Sequence, residues 1–140
     1  MSGRVLVAGT GKGPLLALAE PLSFWGGLDP ETGIVIERRH PQFGVNLAGT
    51  VLAMPVGRGS SSSSSVLAEA LRLGTGPAAI LLSSADEIVM LGSLVAGELY
   101  GRACPVVVVE RLPDAAADGW LEVVASETAT ITPIPATQGP

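Results

Sequence analysis

The chain has 140 residues, of which 47% are hydrophobic and 15% charged, a balance that predicts one globular domain with a buried core. Eight Lys and Arg against thirteen Asp and Glu leave a net charge of −5, which excludes a basic surface for a nucleic acid. The longest apolar runs are far shorter than the roughly 20 residues that cross a bilayer, and the N-terminus lacks a charged and then apolar leader. We therefore expect no nucleic acid partner, no membrane span and a cytoplasmic location.

The first half of the chain predicts short strands joined by turns. Residues 4–8 alternate in polarity and predict a strand that ends at a loop containing Gly9, Gly11 and Gly13. The following apolar and turn-forming stretches predict further strands at residues 15–19, 33–37 and 50–55, with a long ordered loop at residues 23–33.

The second half predicts helices that alternate with strands. Residues 78–82 and 105–109 are continuous apolar runs, typical of strands that are covered on both faces and pair in parallel. Helical spacing predicts one helix that ends at Gly74 and another over residues 88–100 that starts at Ser84, Asp86 and Glu87. Two closing strands are expected at residues 120–125 and 128–134, before a loose tail at 135–140. The pattern predicts an α/β fold in which a partly parallel sheet is flanked by helices, with residues 1–140 as one domain.

Three of the five aromatic residues lie in or near a segment rich in glycine and proline, namely Phe24, Trp25 and Phe43. Rings outside an obvious core indicate a contact surface. Because glycines follow Trp25, we expect the loop at residues 23–27 to lie on such a surface rather than in the core.

A glycine- and serine-rich turn, Gly57-Arg58-Gly59-Ser60-Ser61-Ser62, precedes the first predicted helix. Glycines let a backbone approach a ligand closely, and a helix start offers free N–H groups and a positive dipole end. The turn suits a carboxylate or phosphate, and a serine in that field could have its alkoxide form stabilised. Serine is also a preferred N-cap, so the run needs no chemistry. Neither interpretation is excluded by the residues alone.

The single cysteine and single histidine, Cys104 and His40, limit metal chemistry. Together they supply too few ligands for a metal site built from this chain alone. Cys104 precedes an apolar strand, so burial is expected rather than reactivity. His40 lies in a loop, where a turn residue is the default and an acid–base role is the alternative.

Four sequence blocks together closely resemble the small subunit of aconitase X: PLSFWGGLDPETG (21–33), HPQFG with LAGTVLAMP (40–55), GRGSSSSS (57–64) and DEIVMLGSLVAGELYGRACPVVVV (86–109). In that superfamily a small swivelling β/β/α domain closes over a large cluster-binding part, either fused to it or as a separate chain. The resemblance implies that this chain is the separate swivelling domain.

The resemblance also implies a hydro-lyase in which this chain supplies a serine base. Ser60 would take a proton next to a substrate carboxylate, with Ser61, Arg58 and Gly59 binding the substrate and Ser61 the alternative base. The large subunit would hold the iron–sulfur cluster or iron, and this chain would bind none alone. Members of the family commonly carry glycine where Ser63 stands. The unbroken serine run in this chain departs from that pattern.

Since the resemblance implies a large subunit, we expect the aromatic, glycine-flanked loop with Ser23, Phe24, Trp25 and Gly26 to lie at the interface with it. The resemblance also implies dehydration of cis-3-hydroxy-L-proline, because residues 86–109 look like the bacterial members. The alternative substrate is mevalonate 5-phosphate, as in archaeal members of isoprenoid synthesis. An alternative of another class is a non-catalytic module that binds a partner through Phe24 and Trp25.

Overall fold

The computed structural model describes residues 1–57, 61–113 and 119–135. The strands are β1 (Ser2–Val7), β2 (Gly9–Ala17), β3 (Leu28–Asp29), β4 (Ile34–Val35), β5 (Val51–Met54), β6 (Ala79–Leu82), β7 (Val106–Val108), β8 (Trp120–Ala125) and β9 (Ala129–Ile134). The helical segments are α1 (Phe24–Gly27), α2 (Ser62–Leu73) and α3 (Glu87–Tyr100). Arg58, Gly59, Ser60 and residues 136–140 of the expected tail lie outside the described residues.

Seven of the described strands close a barrel in the order β1-β7-β6-β5-β2-β8-β9, with β9 paired back to β1. The run from β2 through β5 and β6 to β7 is parallel, and the remaining barrel pairs are antiparallel. Helices α2 and α3 are the crossovers that lead from β5 to β6 and from β6 to β7. The mixed sheet with flanking helices confirms the predicted α/β class, and the two apolar runs at β6 and β7 do pair in parallel.

The strands β5 and β6 are buried along their whole length because successive side chains enter two different cores. Leu52 and Ile80 point into a core shared with α2 and α3, whereas Val51 and Leu81 point into a core shared with β8 and β9. Side chains alternate across a strand, so an uninterrupted apolar run is what such a position requires.

The glycine-rich segment at residues 9–13 is strand, and its prediction as a loop was wrong. These residues pair with β8 from Gly9 opposite Ala125 to Gly13 opposite Leu121. A Cβ on Gly11 would run into the carbonyl oxygen of Ala78, and one on Gly13 into that of Gly49. The glycines mark a close approach of neighbouring backbone rather than a turn.

The end of α2 and the start of α3 lie where the sequence predicts them. Gly74 ends α2 in the left-handed conformation, with φ of 80°. Asp86 caps α3, because its Oδ1 accepts the N–H groups of Ile88 and Val89 at 2.9 and 3.0 Å. Asp86 and Glu87 are thus helix-start residues, as predicted. No helix in the described ranges is long and apolar enough to cross a membrane.

The thiol of Cys104 is fully buried in the core beneath α3, which confirms the expected burial. Burial raises the pKa of Cys104 to about 12. Removal from water destabilises the thiolate, which is the reactive form.

We expect Cys104 to resist a water-soluble disulfide reagent at pH 8 in the folded chain. With a pKa of about 12, only about one thiol in 10,000 is ionised at that pH. The measurement is thiol release with and without denaturant, where the denatured chain should react fully and rapidly. Rapid reaction of the folded chain under the same conditions would contradict the buried placement.

Candidate functional site

The chain leaves β5 toward the serine-rich segment (residues 57–65) at the carboxyl edge of the parallel strands. After β5, the carbonyl oxygen of Pro55 accepts the N–H of Ser83 at 2.9 Å and its hydroxyl at 2.7 Å. Ser83 directly follows β6, so the ends of two neighbouring parallel strands are tied together. This is the edge at which open parallel sheets commonly bind ligands.

Gly57 lies directly against the first turn of α3. A Cβ at this position would lie 2.7 Å from Oδ2 of Asp86 and 2.9 Å from Cγ2 of Val89. Since real Cβ atoms do not approach so closely, the path from β5 toward α2 requires glycine here. The close approach that Gly57 permits is therefore made to α3.

The first turn of α2 is built from serines. Among them, Ser61 makes its contact through its backbone carbonyl oxygen rather than its hydroxyl. Ser61 has helical backbone angles, with φ of −58° and ψ of −23°, and its hydroxyl makes no capping hydrogen bond within the described part of the chain. Its carbonyl oxygen accepts the hydroxyl of Ser64 at 2.7 Å. The plain N-cap interpretation therefore gains no support at Ser61. Its predicted role in substrate binding, like the roles of Arg58, Gly59 and Ser60, stays a prediction.

Ser63 joins the start of α2 to the segment that was expected at an interface. Its Oγ accepts the backbone N–H of Trp25 at 3.1 Å and lies 3.4 Å from Oγ of Ser23. The Ser23 hydroxyl donates to the carbonyl oxygen of Trp25 at 3.0 Å. Thus two candidate regions that are 38 residues apart in sequence meet at one place.

Phe24 and Trp25 are neighbours with opposite environments. Phe24 is only 1% exposed and belongs to the core around α2, so its predicted placement outside the core was wrong. Trp25 is 61% exposed and Phe43 53% exposed, as expected of a contact surface. The reason is the turn itself: Gly26 has φ of 78°, which reverses the chain directly after Trp25. One side of that turn faces the core and the other faces outward.

His40 is a buried turn residue, as the default interpretation held. Its Nε2 lies 3.1 Å from the carbonyl oxygen of Glu20, and its Nδ1 accepts the N–H of Gln42 at 3.0 Å. One tautomer, with the proton on Nε2, satisfies both contacts. The ring ties two loops together and has no free nitrogen for a metal ion.

The described ranges contain no group of three or more His, Cys, Asp or Glu side chains able to hold a metal ion. The single Cys104 and the fully bonded His40 ring do not suit an iron–sulfur cluster, which takes several cysteine thiolates as ligands.

Sequence reasoning did not find the roles of Ser63 and Gly57. Ser63 stood in the sequence only as one member of a serine run, and its partners Ser23 and Trp25 carry no local signal that points to it. Gly57 was read as a ligand-facing glycine, whereas its neighbour in space, Asp86, lies 29 residues further along the chain.

Comparison with known proteins gives a consistent picture. A family model described as the aconitase X swivel domain matches residues 1–132. The chain is 51% identical over 118 residues to a cis-3-hydroxy-L-proline dehydratase of Pseudomonas aeruginosa, a match that covers 84% of this chain and 20% of that protein. It is 45% identical over 94 residues to a phosphomevalonate dehydratase small subunit of Methanothermobacter thermautotrophicus, covering 67% of this chain and 72% of that protein.

Among solved structures, the aconitase X of Thermococcus kodakaraensis in its holo form superposes with a TM-score of 0.77 at 31% identity. That match covers 93% of this chain and 95% of the other chain. The chain thus spans a fifth of the length of the curated Pseudomonas dehydratase that it matches, and most of the archaeal small subunit.

The different environments of Phe24 and Trp25 predict different effects on folding. Phe24→Ala should lower the free energy of unfolding by about 3–5 kcal/mol, because it empties a fully buried site. Trp25→Ala should change it by less than about 0.5 kcal/mol, because the indole is mostly in water. Urea unfolding followed by circular dichroism measures both. Equal losses in the two variants would contradict the assigned environments.

Proposed function

The chain belongs to the aconitase X swivel-domain family, and from that membership we propose that it is the small subunit of a hydro-lyase that works with a large partner subunit. The observation that carries the proposal is the contact between Ser63 and Trp25, which joins the serine segment to an exposed aromatic residue. In this proposal the partner docks at Trp25, beside the segment that supplies the base.

The proposed substrate is a β-hydroxy carboxylate. Ser60 takes the proton on the carbon next to the carboxylate, the hydroxyl on the following carbon leaves, and a carbon–carbon double bond and water are the products. Serine is a very weak base, so this step needs a closed and dry site with positive charge nearby. Arg58 and the N-terminal dipole of α2 supply that charge, and Ser61 with Gly59 binds the carboxylate.

The iron–sulfur cluster or iron belongs to the large partner in this proposal. Neither Cys104 nor His40 fits such a group in this chain. The chain's own contribution is the base, the carboxylate-binding residues and the closure of the site. A cytoplasmic location completes the proposal, because a lone cysteine forms no intrachain disulfide.

We favour cis-3-hydroxy-L-proline as the substrate. The chain is more similar to the Pseudomonas dehydratase than to the archaeal small subunit, and over more of its own length. Mevalonate 5-phosphate is the second candidate, supported by the match to a small subunit of comparable length. Turnover of each compound by the reconstituted complex distinguishes them.

The proposed base is tested by Ser60→Ala in a complex reconstituted with the large subunit. Removing a positioned base should lower kcat by two to four orders of magnitude, roughly. The free energy of unfolding should fall by no more than about 1 kcal/mol, the cost of a lost helix cap. The spectrum of the partner's cluster should not change.

Ser61→Ala is the matched control, since it removes a hydroxyl one residue further along the segment. A milder loss of kcat is expected if Ser61 only binds the carboxylate. If Ser61→Ala loses turnover while Ser60→Ala keeps it, the base moves by one residue. Full activity of both single variants and of the double variant would remove this segment from catalysis.

The proposed interface at Ser23, Trp25 and Gly26, from which the buried Phe24 is now excluded, is tested by Trp25→Ala. Loss of an exposed aromatic anchor should raise the Kd for the large subunit by at least about tenfold, measured by titration calorimetry. Leu73→Ala, at an exposed leucine near the other end of α2, is the control and should leave the Kd unchanged. An unchanged Kd for Trp25→Ala would place the interface elsewhere.

A further inference from the structure

The hydrogen bonds between Ser63, Ser23 and Trp25 form a closed ring, in which each donor points to the next member in the same sense. The Ser23 hydroxyl donates its proton to the Trp25 carbonyl oxygen. A hydroxyl has a single proton, so in the Ser23–Ser63 contact the donor is Ser63. The Trp25 N–H in turn donates to Ser63. Each hydroxyl donates once and accepts once, and the Ser63–Ser23 contact, at 3.4 Å, is the longest of the three.

The ring fixes the backbone of Trp25 from both sides of its Cα. The N–H is bound by one serine and the carbonyl oxygen by the other, which holds Trp25 at φ of −71° and ψ of 115°. Phe24, which directly precedes Trp25, is anchored by its buried ring. The indole therefore projects outward from a turn that is held in one conformation.

Ser63, the third member of the hydrogen-bond ring, lies within α2. Ser63 is 2% exposed and lies in the first helical turn, one residue after the helix begins. On its far side this turn packs against α3, where a Cβ on Gly92 would lie 2.9 Å from the Ser64 carbonyl oxygen. The start of α2 thus lies between α3 and the Trp25 turn, in contact with both.

We propose that Ser63 is a positioning residue that couples the partner-facing Trp25 turn to the serine segment preceding α2. The inference rests on the proposed function, because it needs a partner that docks at Trp25 and a base at Ser60. When the partner holds Trp25, the ring holds the helix start in register with it. Ser63 touches neither substrate nor cluster and acts through the helix.

Amide exchange of the full chain tests the ring without any partner. In Ser63→Ala the Trp25 amide loses its acceptor and should exchange at least about tenfold faster in NMR measurements. Ser65→Ala is the matched control, because it removes an exposed serine hydroxyl from the same turn of the helix. Ser63→Thr, which keeps a hydroxyl, should restore protection. An unchanged Trp25 exchange rate in Ser63→Ala would overturn the proposal.

Steady-state kinetics of the reconstituted complex test the coupling. Ser63→Ala should lower kcat by about 10- to 100-fold, since a small misplacement of a catalytic group has a cost of that size. KM should change by less than about threefold, because the carboxylate-binding residues remain. Ser65→Ala should alter neither value, and Ser63→Thr should recover most of the kcat.

The outcomes separate this inference from the function on which it rests. A wild-type complex that turns over neither substrate contradicts the proposed function, and the coupling with it. A wild-type complex that is active, with a Ser63→Ala variant that keeps its kcat, contradicts the coupling alone and leaves the proposed function standing. Loss of thermal stability in Ser63→Ala with an unchanged kcat would make Ser63 a structural residue only.

Discussion

The strands β5 and β6 are buried on both faces, and the rest of the molecule is arranged around that constraint. A strand with two buried faces needs one core on each side, which here are the core beneath the helices and the core shared with β8 and β9. Parallel neighbours cannot be joined by tight hairpins, so α2 and α3 become the crossovers and supply one of the two covers. All the segments that follow these strands then emerge at one edge.

Glycines allow the layers to approach each other as closely as this architecture needs. Gly11 brings the backbone of β2 against Ala78, and Gly57 brings the segment after β5 against the start of α3. Gly92 brings α3 against the first turn of α2. At each position an added methyl group would collide with a neighbouring element rather than with solvent. The high glycine content therefore serves packing, and two of these contacts lie beside the serine segment.

The site combines a fixed framework with an exposed contact. Phe24 is fixed by its buried ring, and His40 ties two loops together, its Nε2 bonded to the Glu20 carbonyl oxygen and its Nδ1 accepting the Gln42 N–H. Trp25 alone presents a large apolar surface at the turn. In the proposed function, the partner binds on the outside of this turn, and the hydrogen-bond ring links the turn to Ser63.

The sequence by itself determined the elements whose signals are local. The apolar runs at β6 and β7 predicted buried parallel strands, Asp86 predicted a helix start and Gly74 a helix end, and all were confirmed, because periodicity and capping act within a few residues. The four motif blocks also sufficed for the family. Only the tertiary structure decided that residues 9–13 form a strand, since the backbone that makes glycine necessary there comes from Ala78 and Gly49.

The same distinction applies to the site. The sequence indicated that the Trp25 segment and the serine run are both important, but treated them as separate features. It assigned Phe24 and Trp25 the same environment, because burial depends on which side of a turn faces the core and adjacent residues carry no signal of that. The contact between Ser63 and Trp25 joins residues 38 positions apart, and a hydrogen bond between such distant residues exists only once the whole chain has folded.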